Sequence, residues 1–335
     1  MIRVRAASRL HFGFLSFMFG DCWHNLLGEH AIPARHFGGA GLMIQEPGIR
    51  LTLEPAKAWR AEGPLAGRAL DYAQRFAANH SDGTVEPQHI VVESAPPEHI
   101  GLGTGTQLGL AVARGLAAAS GLLDIDAVSL ARAVGRGARS AIGIQGFAQG
   151  GFLVEAGKKA SADIGQLIAR IEFPKSWRVV LIIPSQTPGT HGAKELDAFQ
   201  SLQFREDAPA LTESLCRLVL LGMLPALKEE DFVAFSESLF DFNLRVGDAF
   251  SLIQNGRFGS PRAESIVKFL RKTGIRGVGQ SSWGPTLFAL TQDPDQAADL
   301  SRRLEKELSL QAGEWLVTAP CNSGAVVECL NGASA

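Results

Sequence analysis

The 335-residue chain has four cysteines, Cys22, Cys216, Cys321 and Cys329, and no two of them stand in Cys-x-x-Cys spacing. That scatter excludes a thiolate zinc site and argues against a secreted disulfide framework. Long basic runs are missing too, and the formal net charge is -2. The electrostatic footprint of a nucleic-acid binder is therefore absent, although a local basic pocket for a small anion needs no such run. No stretch approaches the ~18 uninterrupted apolar residues of a membrane span, and Met1–Arg5 lacks the apolar core of a signal peptide. Internal repeats and low-complexity tracts are not seen. What is there is ordinary globular composition, 46% hydrophobic and 20% charged. The expectation is a reduced, cytoplasmic protein whose partners are small molecules, not nucleic acid or membrane.

Strand-like and helical runs are mixed without strict alternation. Ile2–Ala7, Gly41–Ile44, Arg50–Leu53 and Ile90–Glu93 read as strands. Leu65–Asn79 has helical spacing in Leu70, Ala73, Phe76 and Ala77. An apolar helix is expected over Thr106–Ala119 with a stop at Gly121, and Asp126 is placed to cap another through Ala138. Composition shifts at Gly157–Ser161, and Arg178–Ile183 then reads as a buried strand. Residues 207–247 are mostly helical, followed by a helix Ser260–Lys272, a strand Thr286–Leu290 and a helix Pro294–Leu308. Trp315–Thr318 and Ala325–Cys329 close the chain as strands. This mixture favours an α+β fold over a doubly wound sheet. A break within 157–177 separates two expected lobes, 1–170 and 171–335.

Chemistry concentrates first in Gly101-Leu102-Gly103-Thr104-Gly105-Thr106-Gln107, which lies between a strand and an apolar helix. Glycines let the backbone turn sharply and approach an anion. Free amides at the helix start, with the positive end of its dipole, then bind phosphate oxygens, and the Thr104 and Thr106 hydroxyls can add hydrogen bonds. The loop has no lysine for a Walker motif, and Thr106 stands where a dinucleotide fingerprint needs glycine. Such a loop could also simply pack a helix on a sheet.

Pro97 and the Gly101–Gly105 segment resemble the second motif of the GHMP kinase superfamily. Three further segments narrow the resemblance: Ser8-Arg9-Leu10-His11-Phe12-Gly13, Arg35-His36-Phe37-Gly38-Gly39-Ala40-Gly41, and Gly277-Val278-Gly279-Gln280-Ser281-Ser282-Trp283-Gly284-Pro285-Thr286. The match is sharpest for a non-kinase branch, the β-ribofuranosylaminobenzene 5′-phosphate synthases of tetrahydromethanopterin biosynthesis. It implies a two-lobed fold, with a ribosomal S5 domain 2-like N-terminal lobe and a ferredoxin-like C-terminal lobe. It also implies decarboxylative ribosyl transfer from 5-phosphoribosyl 1-diphosphate to 4-aminobenzoate or 4-hydroxybenzoate, with Mg²⁺ on the diphosphate; a homodimer is the expectation from base rates alone. The kinases of the superfamily place an aspartate in a Ser-Gly-x-Asp stretch before a Gly-Gly pair. Here Ser140–Gln149, ahead of Gly150-Gly151, holds no carboxylate. An ATP-dependent kinase is thereby the second reading, and an inactive phosphate-binding paralogue the third.

The resemblance assigns Arg35 to clamp diphosphate or carboxylate, since its planar fork matches either. His36 is a candidate proton donor, and the pair precedes Gly38-Gly39, read as a turn that lets the backbone approach a ligand. His11 shares a strand face with Arg9 and is the second histidine of the catalytic set. Asp21 stands in for the acidic residue that many family members carry after the Leu-His strand. Arg9, Gly101, Gly103, Thr104, Gly105, Thr106, Gln107, Gln280, Ser281 and Ser282 make the expected phosphate site, with Trp283 stacking on the aromatic acid. His191 and Glu195 sit at i and i+4, and Gln145 and Gln149 are placed to line the cleft.

Overall fold

The protein is described from a computed structural model, in which residues 1–16, 35, 37–79, 85–159, 164–184, 208–251, 253–254 and 256–330 are characterised. The first half comprises β1 (Ile2–Ser16), β2 (Phe37–Pro55), β3 (Arg60–Glu62), α1 (Ala66–Asn79), β4 (Gln88–Ser94), α2 (Thr104–Ala119), α3 (Ala127–Ala133), α4 (Ile142–Gln149), β5 (Phe152–Glu155) and β6 (Leu167–Ile171). The second comprises β7 (Arg178–Ile182), α5 (Ala208–Arg217), a π-helical turn Leu218–Met223, α6 (Leu224–Lys228), α7 (Phe232–Phe250), α8 (Pro261–Lys272), β8 (Val278–Gln280), β9 (Leu287–Thr291), α9 (Pro294–Leu308), β10 (Trp315–Thr318) and β11 (Val326–Cys329).

Seven strands form the first sheet, in the order β11-β1-β2-β4-β3, with β5 also on β2 and β6 on β5. The second sheet is four-stranded, β10-β7-β9-β8, and antiparallel throughout. With α7 and α8 after its first strand and α9 before its last, it has the β-α-β-β-α-β sequence of a ferredoxin-like unit. Mixed strands and helices in two layered units make the expected α+β fold. The 170/171 division falls at the end of β6. The two closing strands part company, however: β10 joins the second sheet, whereas β11 pairs with β1, Val4 opposite Val327.

Three large apolar clusters, beside a small one of Met43, Ile142 and Leu153, hold these layers. One sits between the first sheet and α1, α2 and α3, and another between the second sheet, α8 and α9. The third joins the two sheets. In it Phe12 of β1 lies 5.0 Å from Phe288 of β9 and Phe152 of β5 lies 5.8 Å from Phe235 of α7, ring centre to ring centre. The helical run Ala208–Lys228 is long and apolar enough to cross a membrane by length and composition. Its Leu215, Val219, Met223 and Leu227 pack into that shared cluster, while Leu220 and Leu221 are exposed.

Two local departures from expectation shape the site. Asp126 does cap α3, accepting from the amides of Val128 and Ser129 at 2.8 and 2.9 Å. The helix ends at Ala133, though, not at Ala138. Gly135 and Gly137 take φ of +69° and +98°, a left-handed backbone that a helix cannot continue. The second departure is Gly38-Gly39, which lies in β2 rather than in a ligand-facing turn. Gly39 pairs with Phe14, and a side chain there would meet the Gly13 carbonyl at 2.7 Å.

Candidate active site

α2 is apolar around nearly its whole circumference, so the sheet and its neighbouring helices bury it. Its N-cap is Gly103 at φ +73°, with no side chain satisfying the first amides. Arg9 packs against this glycine: a Cβ built on Gly103 would stand 3.3 Å from Arg9 Nε and 3.4 Å from its Cβ. Gly101 lies so close to the Ser281 carbonyl that any side chain would collide with it. Backbone bonds fix the rest. The Arg9 amide donates to Leu102 O at 3.0 Å, the Ser282 amide to His11 O at 2.9 Å, and the Thr286 amide to Ile100 O at 3.3 Å. Three sequence motifs more than 90 residues apart thus meet at one point.

His11 is at that point. It lies in β1, at a register shift between His11 and Gly13 of the kind that re-aims side chains. Its side chain is only 2% exposed, and neither ring nitrogen has a hydrogen-bond partner among the described residues. Burial, and then the charge of Arg9, push its pKa well below the usual imidazole range. The ring is therefore neutral at neutral pH. It rests 4.6 Å from the Phe14 ring.

On one side of His11 lies a polar cavity of about 140 Å³, lined by Arg9, Thr106, Arg136, Arg139, Ser140 and Ser282. No carboxylate lines it among the described residues. Arg136 donates to the Thr106 hydroxyl at 3.1 Å, and its Nε has no partner among the described residues. Burial lowers its pKa, as do the nearby charges of Arg68 and Arg139. The described lining thus carries three arginines and two hydroxyl-bearing serines without a carboxylate, a composition that suits an anion. On the other side is an aromatic slot lined by Phe12, Phe14, Val246, Phe250, Gln280 and Trp283. Its volume is about 20 Å³, and Phe250 and Trp283 close it edge to face at 4.5 Å. Gln280 is locked at its rim, its Nε2 donating to Ser282 O at 3.2 Å and its amide to Asn243 Oδ1 at 2.9 Å.

The expected site residues separate into groups. Arg9, His11, Thr106, Ser282, Gln280 and Trp283 line the two cavities. Gly101, Gly103 and Gly105 shape the loop, Gly105 facing Arg68 and Arg136. Ser281 is fully buried and acts as a strut, accepting from the His11 amide at 3.0 Å and donating to Gly101 O at 2.7 Å. Thr104 donates to Pro97 O at 3.0 Å, and Gln107 to Gly143 O at 2.8 Å. Arg35 donates to Gly157 O at 3.2 Å and is not among the described lining of either cavity. Gln149 is exposed on α4. Asp21, His36, His191 and Glu195 lie outside the described residues. Sequence reasoning missed Arg136 and Arg139, because it ran a helix through the turn that presents them. The paired glycines around Arg136 were the available signal.

A two-lobed α+β chain with a glycine loop feeding a buried helix is a GHMP-type protein. The GHMP kinases N-terminal domain matches residues 65–151 and the GHMP kinases C-terminal domain residues 223–310. Among solved structures, mevalonate diphosphate decarboxylase from Enterococcus faecalis shares the fold with a TM-score of 0.64 at 14% identity, covering 98% of both chains. Homoserine kinase from Cytophaga hutchinsonii does so at 0.61 and 16%, covering 98% of this chain and 97% of that one. At full length, the chain is 31% identical to a beta-ribofuranosylphenol 5'-phosphate synthase from Methanothermobacter thermautotrophicus, over 96% of this chain and 97% of the relative. It is 29% identical to a synthase of the same name from Archaeoglobus fulgidus, over 98% and 100%. The chain belongs to the family of these synthases, within the GHMP kinase superfamily. The relatives are named for a phenol product, where the motif resemblance pointed to an aminobenzene.

Proposed function

We propose that the chain is a cytoplasmic enzyme that transfers the ribosyl group of 5-phosphoribosyl 1-diphosphate to 4-hydroxybenzoate, with 4-aminobenzoate as the alternative acceptor. The products are the ribosylated arene 5′-phosphate, carbon dioxide and diphosphate, in tetrahydromethanopterin synthesis. The observation that carries this reading is the two-sided site at His11, basic on one face and aromatic on the other. The names of the full-length relatives support the same reaction.

The residues suit the electron balance. The bond from sugar C1 to the diphosphate oxygen breaks, and its electron pair leaves with diphosphate. Arg9, Arg136, Arg139 and the first amides of α2 are set to stabilise that charge. The carboxyl-bearing ring carbon forms the new bond to C1. The pair of the ring–carboxylate bond then returns to the ring as carbon dioxide departs. No proton reaches carbon, so a neutral His11 suffices. A desolvated imidazole orients the carboxylate without holding it back as a cation would. Trp283 and Phe250 supply the faces for the acceptor ring. The described lining offers cations and hydroxyls and no carboxylate, so it does not fit a protein-held magnesium. Magnesium is proposed only as a partner of the donor's own diphosphate oxygens. The kinases of the superfamily usually set a carboxylate beside the attacking hydroxyl, and the described lining provides none.

The test incubates the protein with 5-phosphoribosyl 1-diphosphate and carboxyl-labelled 4-hydroxybenzoate or 4-aminobenzoate, and reads labelled carbon dioxide and pyrophosphate. Faster turnover of the hydroxy acid is expected. No product from either acid overturns the proposal. ADP formed from ATP with a sugar or amino alcohol would replace it with the kinase reading.

A further inference from the structure

The mechanism leaves one buried carboxylate unused. Glu155, at the end of β5, is fully buried. It accepts from the Ser140 hydroxyl at 2.6 Å, from the Ala141 amide at 2.8 and 2.9 Å, and from the Ile142 amide at 3.3 Å. Ala141, the N-cap of α4, has no side-chain cap of its own, so Glu155 satisfies that helix start from across the sheet. Burial raises its pKa, opposed by these three donors and the charge of Arg9. Three residues past the strand, Lys158 Nζ donates to Ala138 O. The end of β5 and its continuation therefore grip the turn 135–141 at two places. That turn carries Arg136, Arg139 and Ser140 to the anion cavity. Ser140 commits its single proton to Glu155, so it shows the cavity an oxygen and adds no donor of its own.

We propose that Glu155 is the positioning residue of the anion pocket, holding the 135–141 turn so that Arg136 and Arg139 converge on the diphosphate of the donor. It touches no reacting atom. The inference rests on the proposed reaction only for the identity of the anion. The test measures binding of inorganic pyrophosphate to the free protein by calorimetry, beside steady-state kinetics for each substrate. E155Q is expected to weaken pyrophosphate binding and raise the donor KM about 10-fold, with kcat and the acceptor KM within about 3-fold of wild type and melting still cooperative. S140A removes only the hydroxyl that Glu155 holds; about 3-fold weaker pyrophosphate binding is expected, which decides the matter if E155Q does not fold. Unchanged pyrophosphate affinity in every variant that folds overturns the proposal. So does a loss of kcat in E155Q with donor affinity intact, or a wild-type protein that binds no pyrophosphate. Since pyrophosphate affinity is read without turnover, an absence of ribosyl transfer would sink the functional reading and leave this test standing.

Discussion

The two faces of His11 are built on opposite plans. The basic face is an open cavity of about 140 Å³, and the turn that carries Arg136 and Arg139 to it is tied by hydrogen bonds to the buried Glu155 and Lys158. The aromatic face has about 20 Å³, room for water but not for a benzene ring. The donor side is thus organised before substrate arrives. On the acceptor side a ring enters only when Phe250 and Trp283 part from their 4.5 Å contact. Charged groups need fixed positions because their worth depends on distance and on exclusion of water. Apolar walls can re-form around whatever displaces them. Donor first, acceptor second is the binding order this difference implies, and product-inhibition kinetics would check it.

The comparison breaks most visibly at Arg136. R136M keeps the bulk and removes the charge, and donor kcat/KM should fall about 100-fold, with acceptor KM little changed. An equal rise in both KM values would show that the two faces are not separate. At the junction, His11 makes a prediction for stability. Its folded pKa lies well below the unfolded value of about 6.5. Below that pH the unfolded chain takes up a proton that the folded chain refuses. Stability is therefore full above about pH 6.5 and declines as pH falls, by up to about 1.4 kcal/mol per unit from this group. Denaturant unfolding of H11F between pH 7 and 5 should show a shallower decline than wild type, and equal slopes would reject the neutral buried ring. The smallest effect is expected at Trp283. W283F keeps an aromatic wall, and acceptor KM should rise about 3-fold with donor KM unchanged. A larger change in donor KM would place Trp283 on the wrong face.

The sequence made much of this legible, and its failures have common causes. Strand, glycine loop and helix follow each other directly, and the pattern of Ile90–Ala119 states that order. The Asp126 cap is equally local. Arg136 and Arg139 were hidden because a helical reading of 126–138 overlooked what Gly135 and Gly137 do to the backbone. Glu155 was hidden because a strand residue caps a helix that begins 13 residues earlier in the chain, and no local pattern encodes that reach. Ser281 was legible as part of a motif but not in its role. A hydroxyl in a glycine-rich loop looks the same on paper whether it meets a ligand or ties two loops together.

The pairing of β11 with β1 bears on how the molecule is made. Arg5 and Glu328 form an ion pair at a sequence separation of 323. Until the last strand leaves the ribosome, β1 presents an unpaired edge over Ile2–Arg5, which invites pairing with other nascent chains. The lobe synthesised first is the lobe completed last. Contacts of that separation slow folding, and the interval leaves the half-built sheet dependent on whatever shields exposed strands during synthesis.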